Sequence, residues 1–433
     1  MTNLLEPFLD LATLPSAKIN PEARKTAQAS LLDWIVCGRA GQSEPVASRL
    51  RQFATSEGGH SQATMFGGGR VPARMAALVN GTTSHALDYD DTHFAHVGHL
   101  SVGIYPAALA VGEVTKASAE NVIDAFVIGS EVAIRIGMML GTEHYQRGFH
   151  QTATAGAFGA TVAAGRLIGL RRNQIRHALN LVATRAAGLK SQFGTMGKPL
   201  NAGFSASNGV EAAQLAAIGV SSAQDAVFGS QGFVPTHTDA PQLDVFAPLE
   251  TWLLPKISYK FHACCHGTHA MIEALLGLHL NDMPKTVNIR TNPRWMSVCN
   301  ILSPTTGLEV KFSYRWLAAM VLSDRDTGAA ASYDDAVTRD PEISALADRI
   351  TIESDPSVDD TKVAGEVVLA DGTVLPLAHD LTAPIASDVL IEKLFTKARG
   401  LLGDDRTHDL KPLIGDISAL QASDLAAMVG RTP

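Results

Sequence analysis

A mainly helical protein is predicted, with a large all-helical domain and a smaller α+β domain, and three observations lead there. Apolar residues recur at three- and four-residue spacing from Pro21 to Gly219, strand-like runs enter only after residue 259, and helical spacing returns near the C-terminus. At 433 residues the chain exceeds what one hydrophobic core usually organises, and a 46% hydrophobic content suffices to fill two.

The helical periods fall in 27–36, 75–87, 122–139, 155–168 and 210–218, and Gly38, Gly81, Gly169 and Gly219 punctuate them as helix C-caps would. Gly67-Gly68-Gly69 lacks the third glycine of a dinucleotide fingerprint, follows no clear strand, and reads as a turn. In the second domain a helix is expected over 269–280, then strands at 286–291, 349–353 and 365–369. Asp371-Gly372 makes a hairpin turn before Val374 and Leu375. The apolar period resumes in 385–402 and 417–428, so the C-terminus is expected to pack back on the helical domain. The predicted division is 1–258 with 396–433 for the helical domain and 259–395 for the α+β domain.

Composition narrows the function. A net charge of −8, a pI near 6.0 and the lack of a basic stripe argue against nucleic acid, so an anionic substrate needs a local cluster of cations. No run of about 18 apolar residues without charge is present, which argues against a membrane span. The first fifteen residues carry Glu6 and Asp10 and no basic segment ahead of an apolar one, unlike a secretory signal. Cys37, Cys264, Cys265 and Cys299 do not resemble a disulfide framework, and a cytoplasmic, reducing location is expected. Only 18% of residues are charged, and Ala and Gly are abundant; tightly packed helices and a homodimer are expected.

Four constellations carry chemistry. His85, Asp88, Tyr89, Asp90, Asp91, Thr92, His93, His96 and His99 lie within fifteen positions. Their spacing suits a metal site, a set of helix or turn caps, or an acid–base loop in which a carboxylate orients an imidazole. Tyr145 and His150 are five apart just before a helix of small residues, where both can face one cavity or simply fill a turn. Lys198 sits among glycines and precedes Pro199, which predicts an extended conformation open to a ligand, and Pro199 rules out a phosphate loop. Cys264-Cys265-His266-Gly267-Thr268-His269 lacks paired zinc spacing; it reads as a helix N-terminus able to bind a carboxylate, or as a small buried thiol pair.

Taken in order, these clusters resemble the MmgE/PrpD family across nearly the whole chain. The likeness includes Ala77 to Gly81 leading into Asp88 to His93, then Gly148-Phe149-His150, Met196-Gly197-Lys198, Cys264 to His269, and Lys311-Phe312-Ser313. The resemblance implies a helical domain, an α+β domain, an active-site cleft between them, dimerisation, and catalysis without metal or cofactor. The family's catalytic pattern falls on Asp88, Thr92, His99, His150 and Lys198, with His99 matching when the loop after Thr92 carries one extra residue. Where decarboxylase- and dehydratase-like members show Phe-Ser-x-x-Tyr, this chain has Phe312-Ser313-Tyr314-Arg315-Trp316 and so lacks that tyrosine.

The expected reaction begins with an electron pair forming on carbon next to a carboxylate of a small di- or tricarboxylate. The missing tyrosine and the short chain point first to an epimerase of the iminodisuccinate type, with Tyr145 and Lys198 as the two proton-transfer groups. A 2-methylcitrate dehydratase-like hydro-lyase is the alternative, and cis-aconitate decarboxylation comes third. Lys198, Tyr145, His150, Asp88 and His99 are the expected catalytic residues; Thr92, His93, His266 and His269 are expected to bind substrate.

Overall fold

A computed structural model describes residues 4–246, 251–278, 280 and 282–432. The chain divides into two compact units, Met1–Tyr259 with Leu402–Pro433, and Lys260–Leu401. The predicted return at 396 falls inside the helix Ser387–Leu402, nearly all of which belongs to the second unit; its Lys393 is held by Glu273 of the same unit at 2.7 Å.

The first unit is a stack of helices, principally Pro21–Gly41, Ala73–His85, Ser101–Thr115, Ala119–Gln146, Gln151–Ile168 and Gly197–Ala217. Their starts follow local chemistry: Asn20 caps the first of these ahead of Pro21, and Ser118 accepts a bond from Asn121 N to begin another. Gly169, at φ 81°, ends Gln151–Ile168 in the left-handed conformation, as its sequence position predicts. Gly38 and Gly81 do not end helices. A side chain at Gly38 would meet the Phe66 ring, and one at Gly81 would lie 2.9 Å from the Gly203 backbone, so these glycines exist for close approach. Trp34, Tyr105 and Phe126 stack through the middle of the unit at ring separations of 5.5 and 3.7 Å. Gly67 to Gly69, all at positive φ, turn a short ribbon between Ala63–Thr64 and Arg70–Val71. The segment Ala422–Val429 returns to this unit, where Ala422 N reaches Ala117 O and Ala119 N reaches Leu420 O, both at 2.9 Å.

The second unit holds a four-stranded sheet in the order Ile350–Ser354, Thr286–Thr291, Lys362–Val368, Val374–Asp380; the first pair is parallel and the others antiparallel. Val287, Ile289, Val363, Val367 and Leu377 bury one face, the alternation that a half-covered sheet requires. Gly372, at φ 89°, makes the expected hairpin turn. The helix expected over 269–280 spans His269–Leu276; His279 lies outside the described residues. Among the described residues no helix is long and apolar enough to cross a membrane.

Candidate active site

In the first unit the helix Ala73–His85 delivers His85 at its last position, and the chain then turns tightly through Asp88, whose φ of 52° is left-handed. Aspartate tolerates that region better than most residues, and the turn lets Asp88 and Asp90 serve one cluster. Asp90 is fully buried, with His85 Nδ1 2.8 Å from one carboxylate oxygen and His99 Nδ1 2.7 Å from the other. Asp88 lies on the open side, with Oδ1 3.5 Å from His99 Nε2 and Oδ2 2.6 Å from Lys198 Nζ. A chain of polar partners therefore runs Lys198, Asp88, His99, Asp90, His85. Its Lys198 and Asp88 end is the more open, at 18% and 36% side-chain exposure, against 10% at His99 and none at Asp90 or His85. The Lys198–Asp88–His99 end is the open one.

Lys198 is not extended. It occupies the first turn of Gly197–Ala217, with its N–H on Thr195 O at 3.1 Å. Pro199 fits there because the first turn of a helix needs no N–H from it. Asn201, one turn on, places its amide nitrogen 3.1 Å from His150 Nδ1 and 3.2 Å from Leu189 O. The carbonyl accepts only, so the amide nitrogen is the donor and His150 Nδ1 is an acceptor; the neutral His150 ring carries its proton on Nε2. His150 itself starts the helix Gln151–Ile168. Its ring stacks 6.2 Å from His85, and Phe193 covers it edge-on at 5.0 Å while lying 5.1 Å from Lys198 Nζ.

Environment sorts the protons. Burial works to raise the Asp90 carboxyl, but the His85 and His99 imidazoles outweigh it and hold Asp90 well below the usual carboxylate range. An ionised Asp90 accepts only, so His85 presents N–H at Nδ1, and the closer approach of Asp90 to His99 Nδ1 at 2.7 Å than of Asp88 to Nε2 at 3.5 Å favours N–H at Nδ1 and the lone pair at Nε2 in a neutral His99. Burial lowers His99 below the ordinary imidazole range, partly offset by Asp90, and lowers His150 well below it, assisted by His85 and Lys198. Both are neutral near pH 7.

Asp91 next door is different: burial, reinforced by Asp33, pushes it up to about 7 while its two oxygens bond Ser101 Oγ and N. Its folded value exceeds its unfolded one, so its contribution to stability is full below about pH 4 and is lost as pH rises toward 7. Asp91→Asn, which mimics the protonated acid toward Ser101, is expected to fold normally and flatten that fall; chemical denaturation at several pH values reads it. An Asn variant with the wild-type slope defeats the assignment.

The other expected residues are placed as follows. His93 Nε2 lies 2.9 Å from Leu253 O and its Nδ1 accepts from His96 N at 3.2 Å; burial lowers it to about 4. Both ring nitrogens are thus used by the backbone, which corrects the substrate-binding expectation for His93. Thr92 pairs with Ser258 in both directions at 2.8 Å, fixing the loop. The Tyr145 ring lies 3.8 Å from the Lys190 ammonium. In the second unit His266 and His269 pack at 4.6 Å, and His262 lies 5.0 Å from His269. Burial sends His269 well below the usual imidazole range, while His262 and Lys393 hold Glu273 down to about 2 against its burial. The helix there begins at His269 after a short turn His266–Thr268. Trp316 is buried in the first turn of Tyr314–Leu322; the neighbouring Tyr314 donates to Gly267 O at 2.6 Å and faces Thr291 Oγ1 at 2.9 Å, so its hydroxyl is committed.

His85, Asp88, Asp90 and His99 offer ligand atoms within 4.8 Å of one another, a donor set of the kind that holds zinc or iron. Two features count against that use: the Lys198 ammonium already neutralises Asp88, and Asp90 already serves two imidazoles. Sequence reasoning passed over His85, Asp90 and Asn201 as catalytic-site members. A signal existed for Asn201, which lies three positions after Lys198 and so shares its helix face.

Two imidazoles gripped by one buried carboxylate, with an ammonium and a second carboxylate at the exposed end, make a centre suited to moving protons near an anion. Models of the MmgE/PrpD N-terminal and C-terminal domains match residues 11–245 and 262–413, and the chain belongs to the MmgE/PrpD family. It is 24% identical over 426 residues to cis-aconitate decarboxylase of Mus musculus, covering 90% of this chain and 86% of that protein. It is 26% identical over 428 residues to 2-methylcitrate dehydratase of Cupriavidus necator, covering 86% and 85%. A cis-aconitate decarboxylase-like protein of Aspergillus oryzae is 29% identical over 287 residues, 62% of this chain and 60% of that protein. These relatives correct the expected likeness to an iminodisuccinate epimerase: their names are those of a decarboxylase, a decarboxylase-like protein and a dehydratase.

Proposed function

We propose that this protein is a lyase acting on a small tricarboxylate, with a hydro-lyase of the 2-methylcitrate type as the leading reading. The observation that carries it is the opposite proton poise of two neighbouring neutral imidazoles: His99 with Nδ1 on Asp90 and Nε2 turned to the open side beside Asp88, and His150 held with Nε2–H by Asn201. His99 Nε2 takes the proton from carbon beside a carboxylate, and His150 Nε2–H protonates the departing hydroxyl. Lys198 and Asp88 complete the exposed end, Lys198 neutralising the substrate carboxylate on which charge builds as the C–H bond breaks. An elimination needs one base and one acid at a single pH, and this pair supplies both.

Decarboxylation is the second reading, favoured by the relatives named for cis-aconitate decarboxylase. There the electron pair arises from loss of carbon dioxide, and His150 returns a proton to carbon. Trp316 in place of the family tyrosine weighs against it. The two-base epimerase ranks below both because the relatives named above carry the names of lyases. A homodimer remains part of the proposal, supported by exposed Phe204, Ile218 and Val220 on and after one helix; light scattering coupled to gel filtration tests it.

The deciding experiment is a proton NMR time course in deuterium oxide with 2-methylcitrate, citrate, cis-aconitate and iminodisuccinate. New vinyl signals from a hydroxy acid establish the hydro-lyase. Carbon dioxide release from cis-aconitate establishes the decarboxylase instead, and exchange with inversion and an intact skeleton restores the epimerase.

A further inference from the structure

We infer that Cys265 and Cys299 form a modification site, a thiol pair that closes to a disulfide when the protein meets a small-molecule disulfide such as oxidised glutathione. The two Sγ atoms lie 2.9 Å apart although the residues are 34 positions apart in sequence. Carbon atoms in ordinary contact sit about 3.5–4.0 Å apart and sulfur is larger than carbon, so the pair is closer than two unbonded groups normally rest. A disulfide bond is about 2.05 Å, which leaves less than about 1 Å to close.

The proximity is built into the backbone. Cys265 N donates to Lys311 O at 3.0 Å, and Tyr314 N donates to Cys299 O at 3.0 Å, so both cysteines are pinned to one short segment, 311–314. Cys299 N also donates to Trp295 O at 2.7 Å. With both backbones fixed, only side-chain rotation changes the distance between the two sulfurs.

Exposure gives the pair an order. Cys299 is fully buried, whereas Cys265 is half-buried. Cys264, though adjacent, is buried with its sulfur 3.3 Å from Thr268 Oγ1, and burial pushes its thiol up to about 12. Cys37 lies inside the helix Pro21–Gly41 of the other unit. Cys265 is therefore the entry point and Cys299 the resolving partner, the arrangement that redox-responsive pairs use. The Cys265 thiolate attacks one sulfur of oxidised glutathione, forming a mixed disulfide and releasing one glutathione thiolate. The Cys299 thiol then loses its proton and its sulfur displaces the second glutathione from Cys265. Two protein thiols are oxidised, one glutathione disulfide is reduced to two thiols, and both protein protons pass to solvent or to the leaving glutathione.

The bond would tie the loop carrying His266 and His269 to the segment that leads into Tyr314–Leu322, whose Tyr314 already holds Gly267 O. This inference does not rest on the proposed reaction, and its test uses no substrate. The full chain is equilibrated with oxidised glutathione, denatured, alkylated and weighed by mass spectrometry, and the cross-linked peptides are mapped. Wild type is expected to fall from four alkylated cysteines to two, with a Cys265–Cys299 peptide, and its melting temperature to rise by a few degrees until reductant is added. Cys264→Ser should still form the bridge, whereas Cys299→Ser should stop at the Cys265–glutathione adduct. Four alkylated cysteines in treated wild type, or a bridge mapped to Cys264 or Cys37, overturns the inference.

Discussion

Lys198→Met is expected to lower kcat/KM by about three orders of magnitude on whichever tricarboxylate proves to be the substrate, while the protein stays folded. Removing one preorganised electrostatic contact to a developing oxyanion typically costs about 10²–10³ in rate, and here the same change also takes a cation from beside a carboxylate. Asp88 would lose its ammonium partner at 2.6 Å and present more negative charge to an anionic substrate. Binding and turnover should therefore suffer together, raising KM as well as lowering kcat. The fold should survive because Lys198 lies in the first turn of its helix, where methionine is a good helix former and no capping bond is lost. Circular dichroism and the melting temperature check that point. Lys198→Arg restores charge but not the compact geometry of an ammonium, and partial rescue is expected. Turnover near wild type in the methionine variant removes Lys198 from the reaction.

Much of the architecture follows from local pattern, and the exceptions have physical causes. Periodicity found the helices around 122–139 and 155–168 although both are buried on nearly every side, and it found the strand at 286–291 because buried and more open positions alternate there. It ended helices wrongly at Gly38 and Gly81, because a glycine selected for close approach looks in sequence like one selected for a left-handed cap. Lys198 was expected to be extended for a similar reason: the rule about residues before proline is local, while a helix start depends on which N–H groups need partners. The candidate site was legible as a list. Asp88, His99, His150 and Lys198 could be named in advance, but not the order of their contacts. That order depends on Asp90, which reads in sequence as one more turn-capping aspartate until two distant imidazole positions converge on it. His93 shows the converse: an imidazole in the densest motif whose nitrogens are both spent on backbone.

Asp90→Asn should be nearly as damaging as the loss of Lys198, by a different route. An ionised carboxylate accepts from both His85 Nδ1 and His99 Nδ1, but an amide offers one acceptor and one donor. Whichever imidazole faces the amide nitrogen must turn its Nδ1 into an acceptor and move its proton to Nε2. If that ring is His99, the base is lost outright; if it is His85, His99 keeps its tautomer but loses the negative charge that favours its protonation during the reaction. The carboxylate-to-amide change beside the catalytic histidine of a serine protease, a comparable tautomer error, costs about 10⁴ in kcat. A fall of about 10³- to 10⁴-fold in kcat is expected here, with KM changed far less because Asp90 is buried away from substrate. The pH profile separates a tautomer effect from simple unfolding. His99 must be neutral to act as base, so the acid limb of kcat/KM in wild type should lie below the ordinary imidazole range, where burial holds His99 despite Asp90. Removing the carboxylate removes the largest influence that raises His99, ahead of Asp88, so the residual activity of the variant should keep its acid limb lower still. An acid limb that stays in place, together with a kcat near wild type, would mean that Asp90 holds the loop but does not set the proton on His99.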